Sequence, residues 1–103
     1  MMRFIAILGL TAALSPAAYA QDGSVQEGRA YAEAICARCH DTGDGLLSPN
    51  PKSPPFGTIA NNEGITGAAL NKILRTPHRD MPDFILPKQD LENVIAYILS
   101  LKH

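Results

Sequence analysis

Near the C-terminal end of the chain, Leu91, Val94, Ile95, Ile98 and Leu101 recur at spacings of one, three and four. That period lays a single apolar stripe along a helix. Pro87 suits the first helical position, Asp90 and Glu92 fall near the positive dipole end, and Lys102 falls near the other. A shorter stripe, Leu70, Ile73 and Leu74, predicts a helix from Thr66 as N-cap to Arg75, ended by Pro77. A third helix opens at Ser24-Val25-Gln26-Glu27, a capping-box pattern, and runs through Ile35 into Cys36. Gly28 inside it costs about 1 kcal/mol relative to Ala, and its bare backbone lets another helix approach closely.

Between these helices, from Asp41 to Gly57, the composition turns to Gly, Pro, Ser, Asn and Asp. Pro49, Pro51, Pro54 and Pro55 exclude a helix, and no alternation suggests a strand. An irregular loop of that length inside a compact domain is expected only where it is functional, for example wrapped against a large flat group. The pattern therefore predicts an all-α fold of three to four helices with long irregular loops.

The N-terminus reads differently. Arg3 gives a short positive region, Phe4 to Leu14 is apolar, and Ala18-Tyr19-Ala20 forms a small-x-small cleavage site. Residues 1–20 thus read as a signal peptide and 21–103 as one domain; a buried N-terminal helix is the alternative. The apolar run is shorter than the ~20 residues of a membrane span, and no later segment looks transmembrane. The expected product is exported to a compartment such as a periplasm, with no integral membrane segment after cleavage. Charge adds an exclusion: Lys+Arg 9 against Asp+Glu 10 gives no basic field for nucleic acid. A domain this small buries only a thin core and usually needs a staple, and two cysteines allow one disulfide at most.

Cys36-Ala37-Arg38-Cys39-His40 supplies candidate chemistry. C-x-x-C-H is the spacing of c-type haem attachment. Two thiols about one helical turn apart can each add to a porphyrin vinyl group, and the adjacent imidazole then points at the iron. His40 Nε2 is the expected proximal ligand, with its other nitrogen bonded to a backbone carbonyl in the following loop. Pro49 is the expected acceptor, with Pro51 next. A Cys36–Cys39 disulfide, a thioredoxin-like redox pair and a zinc site compete with this reading. The redox pair lacks its βαβ setting, and His40, His78 and His103 offer no second closely spaced zinc-ligand pair.

At this motif the mature chain resembles class I cytochromes c along nearly its whole length. That family places C-x-x-C-H directly after a Gly-containing helix, as Gly28 to Ile35 here, and ends on an amphipathic helix bearing an aromatic, as Tyr97 here. Small bacterial members carry a Pro-Pro-Phe-like segment, matched by Pro54-Pro55-Phe56. The resemblance implies a cytochrome c fold around one covalent haem c, and Met81, followed by Pro82, as the sixth iron ligand. His78 is the rival for that position, and His103 is expected to be solvated. Phe56, Ile59, Leu70, Leu74, Phe84 and Ile98 become pocket candidates, and Tyr97 is expected to pack over Gly28 where the terminal helices cross. Two features depart from the family: Ala32 stands where mitochondrial members have an aromatic, with Tyr31 beside it, and the last helix begins Leu86-Pro87 rather than with a Ser or Thr cap. The implied function is one-electron transfer by a monomer between a redox donor and acceptor, not catalysis. A haem sensor or small peroxidase, with Met81 unbound, is the alternative.

Overall fold

In a computed structural model of the chain, residues 2–5, 9, 23–43, 45–76, 81 and 85–103 are described. Four helices follow in order: α1 Val25–Ile35, α2 Phe56–Ala60, α3 Gly67–Arg75 and α4 Lys88–Ser100. A one-turn 3-10 segment, Cys36–Arg38, continues α1. No strand occurs among the described residues, so the architecture is all-α.

Helix α1 starts where the capping pattern places it. Ser24 has extended backbone, and its Oγ accepts from the Glu27 amide at 3.2 Å. The reciprocal half of the box is rerouted through α4. The Ser24 amide donates to Asn93 Oδ1 at 2.8 Å, and Asn93 Nδ2 donates to Glu27 Oε2 at 3.1 Å. Asn93 is 3% exposed, so a buried amide on the last helix caps the first.

The same crossing explains Gly28. A Cβ there would lie 1.9 Å from the Asn93 carbonyl oxygen and 2.9 Å from Tyr97 Cβ. At Gly23 it would lie 2.1 Å from the Glu92 carbonyl oxygen. Only glycine lets α1 and α4 touch backbone to backbone at these points. Tyr97 packs over Gly28 as expected, with Ala32 fully buried beside it and Tyr31 half-buried against the same core.

Along α4, Leu91, Val94, Tyr97 and Ile98 are buried, while Ile95 and Leu101 pack from the margin. Pro87 is the N-cap rather than the first helical residue, because its ψ of 147° is extended. The helix closes at Ser100, which leaves Lys102 beyond its last turn. Helix α3 is capped by Thr66, whose Oγ1 accepts from the Ala69 amide at 3.1 Å. Leu70 is buried and Leu74 half-buried, but Ile73, part of the predicted apolar face, is 42% exposed. It sits at the margin of the stripe, only partly covered. Helix α2 takes in Phe56 and Gly57, the end of the stretch expected to be irregular, because the last proline of that stretch lies just before it. It begins directly after Pro55 and buries Phe56 and Ala60, one turn apart.

Residues 18–20 of the expected cleavage site, His78, Phe84, Pro77 and Pro82 lie outside the described residues. No helix among the described residues is long and apolar enough to cross a membrane.

Candidate functional site

Where α1 ends, the backbone tightens. The amides of Cys39 and His40 both donate to the Cys36 carbonyl, at 3.2 and 3.0 Å, which sets the two cysteines one turn apart with His40 immediately beyond. Both thiols are free and half-buried. Cys36 packs against the hydrophobic core, and burial pushes its thiol up to about 11. A thiol that holds its proton this firmly is unlike the low-pKa cysteine of a dithiol oxidoreductase. Among the described residues, no group of three or more His, Cys, Asp or Glu side chains could hold a metal ion by itself.

His40 Nδ1 lies 2.6 Å from the carbonyl oxygen of Pro54. A carbonyl only accepts, so Nδ1 is the donor in this bond, which leaves Nε2 as the nitrogen that could serve as a ligand. The acceptor is therefore neither Pro49 nor Pro51. The reason is a turn between them and the histidine. The Asn50 amide donates to the Cys39 carbonyl at 3.1 Å, the Ser53 amide to the Asn50 carbonyl at 3.0 Å, and the Lys52 amide to Asn50 Oδ1 at 3.0 Å. This turn takes up the stretch around Pro49 and Pro51, and the chain returns to the imidazole with Pro54.

The rest of the loop is pinned at both ends. The Phe56 amide donates to the Asp41 carbonyl at 2.8 Å, and the Asp41 amide to Ser48 Oγ at 3.0 Å. The Phe56 ring stands 5.2 Å from the His40 ring and 6.4 Å from that of Tyr97. The Tyr97 hydroxyl donates to the Thr42 carbonyl. Described contacts thus gather Cys36, Cys39 and His40 with Pro54, Phe56 and Tyr97. Met81 is half-buried at a bend, and no described contact links it to that cluster. Of the pocket candidates, Phe56, Leu70 and Ile98 are buried in one core, and Ile59 and Leu74 pack against it. Pro54 and Thr42 escaped the sequence reading because they act through backbone carbonyls, which side-chain patterns do not reveal.

The family model for cytochrome c oxidase, cbb3-type, subunit III, matches residues 23–98. A cytochrome c-552 of Bradyrhizobium diazoefficiens is 30% identical over 101 residues, covering 98% of this chain and 95% of that protein. The chain is a c-type cytochrome. No solved structure matches it. As a cytochrome of this family it carries covalently bound haem c with iron, in an all-α cytochrome c fold, and takes part in electron transport with redox partners.

The residues present fit that group. The 3-10 turn and its cap offer two unpaired thiols, and the histidine beside them has Nδ1 committed to Pro54, with no described partner at Nε2. Large apolar side chains also stand uncovered on the loop after the motif, with Leu46 85% and Leu47 87% exposed, and four residues past Met81, with Ile85 96% exposed. Fully exposed apolar side chains at these points suit a chain that folds around a bulky apolar group.

Proposed function

We propose that this cytochrome is an exported one-electron carrier of the periplasm, formed by residues 21–103 after removal of 1–20. Cys36 and Cys39 would hold the haem as thioethers, and His40 Nε2 and the Met81 sulfur would ligate its iron. The observation that carries the reading is the His40 Nδ1–Pro54 bond at 2.6 Å, which fixes the ring and leaves Nε2 as the available donor. Haem c, when bound, supplies an iron centre that gains and loses one electron.

Pro54 raises the basicity of the imidazole by taking its Nδ1 proton into a hydrogen bond. Phe56 packs its ring against His40 and keeps water from that side. Met81, as a thioether ligand, raises the reduction potential relative to a second histidine. With His40 and Met81 both committed to the iron, the protein would leave no position there for a substrate, and haem c would serve as a one-electron store. Encounters that pass single electrons use small interfaces, below about 1,200 Å². The partners are a redox donor and an acceptor of the oxidase, reductase or dehydrogenase kind. Neither nucleic acid nor an integral membrane segment takes part, and the carrier acts as a monomer.

The test is a reduced-minus-oxidised absorption spectrum of protein exported from cells with a haem-attachment system, followed by carbon monoxide. Sharp reduced c-type bands that carbon monoxide leaves unmoved are expected. Bands that shift would mean an open iron and favour a sensor or peroxidase. In Met81→Ala the weak sulfur-to-iron charge-transfer band should vanish and carbon monoxide should bind; an unchanged spectrum would transfer the ligand role to His78.

A further inference from the structure

We propose that Tyr97 is a positioning residue for the iron-binding imidazole, acting from α4 through the loop 41–56. This rests on His40 being an iron ligand. Tyr97 is 6% exposed, and its hydroxyl donates to the carbonyl of Thr42, which is 8% exposed and two residues past His40. A buried phenol needs some acceptor, and any carbonyl would satisfy it. What gives this bond a second consequence is where Thr42 sits.

The neighbouring Asp41 carbonyl accepts from the Phe56 amide at 2.8 Å. Two residues before Phe56, the Pro54 carbonyl holds His40 Nδ1 at 2.6 Å. The Phe56 ring lies between the rings of His40 and Tyr97, with centroids at 5.2 and 6.4 Å. Tyr97 to Thr42, Asp41 to Phe56 and Pro54 to His40 therefore close a circuit in which each bond fixes the next. The circuit is fastened to the helical frame at Tyr97, whose backbone is locked by the glycine crossing at Gly28.

The ring of Tyr97 does the packing, and the hydroxyl does the positioning. Without the hydroxyl the Thr42 end of the loop is released, and Pro54 loses its fixed distance from Nδ1. A more weakly held Nδ1 proton makes the imidazole a poorer electron donor, so the ferric state is less stabilised and the potential rises.

The experiment uses the haem-loaded protein. Tyr97→Phe keeps the ring and removes the donor. Exchange of the His40 Nδ1 proton, followed by NMR, should accelerate about tenfold, the scale of one lost buried hydrogen bond. The midpoint potential should move positive, with haem content and reduced spectrum retained. Leu91→Ala, a core truncation on the same helix outside the circuit, should lower the melting temperature and leave both readouts at wild-type values. Phe56→Leu, which loosens the circuit at its ring bridge, should move both readouts in the same direction as Tyr97→Phe, and it serves if the latter yields no holoprotein. Wild-type exchange and potential in Tyr97→Phe would overturn the proposal, whatever its melting temperature. A haem protein whose His40 ring shows no hyperfine-shifted resonances would instead overturn the ligation reading, and the proposal with it.

Discussion

Replacing Gly28 by Ala sets two effects of opposite sign against each other. Helix propensity alone favours Ala over Gly by about 1 kcal/mol. The added methyl, however, would stand 1.9 Å from the Asn93 carbonyl oxygen and 2.5 Å from its carbonyl carbon. Reaching an ordinary contact of about 3.4 Å requires α1 and α4 to separate by roughly 1.5 Å at their crossing. The obstacle is helix backbone, which cannot swing aside as a flexible side chain could. Overpacking typically costs about 1–3 kcal/mol, and separation also stretches the two bonds that Asn93 makes to the start of α1, each worth about 1 kcal/mol. The steric effect wins by about 2–4 kcal/mol, a melting-temperature loss on the order of 10–25 °C for a domain this size. Thermal unfolding of the haem-loaded variant, followed by far-UV circular dichroism, measures it. Ala30→Gly on the exposed side of α1 isolates the propensity effect alone, at about 1 kcal/mol. A Gly28→Ala protein as stable as the parent would refute the backbone crossing.

The other predictions concern the cap, the staple and the phenol beside the core. Asn93→Ala strips the Ser24 amide and the Gln89 side-chain amide of an acceptor, and should cost about 1–3 kcal/mol in urea unfolding. Cys36→Ser with Cys39→Ser should leave a largely unfolded chain by circular dichroism, since haem supplies core that the sequence lacks; a cooperatively folded haem-free double variant would contradict this. Tyr31 is held above the ordinary phenol value of 10.0 by burial, and then by the charge of Asp90. The folded protein therefore keeps a proton that the unfolded chain releases, so stability should hold steady below pH 10 and fall as pH rises above it. Tyr31→Phe should flatten that alkaline decline in denaturant titrations at stepped pH.

What the sequence made legible is what local chemistry encodes. Helices α1, α3 and α4 announced themselves through Ser24, Thr66 and the Leu91-to-Leu101 stripe, because caps and periodicity need only near neighbours. Cys36, Cys39 and His40 stood out for the same reason. Five-residue α2 is too short for a period, and its hold on the core depends on Phe56 and Ala60 meeting residues far along the chain. Asn93 looks like a solvent-facing residue beside an apolar stripe, and its role exists only once α1 crosses above it. The choice of Pro54 over Pro49 was fixed by a backbone turn at Asn50 to Ser53, and Ile73 fits the stripe yet stays 42% exposed.

The bonds that close the molecule also set its timetable. Ser24 meets Asn93 across 69 positions and Tyr97 meets Thr42 across 55. In a chain that is exported from its N-terminus, Cys36 to His40 emerges before α4, so nothing from the last helix can latch over the thiols until α4 has followed. The two cysteines thus stay reachable until α4 docks, and a truncation that removed the last helix would leave them reachable without end.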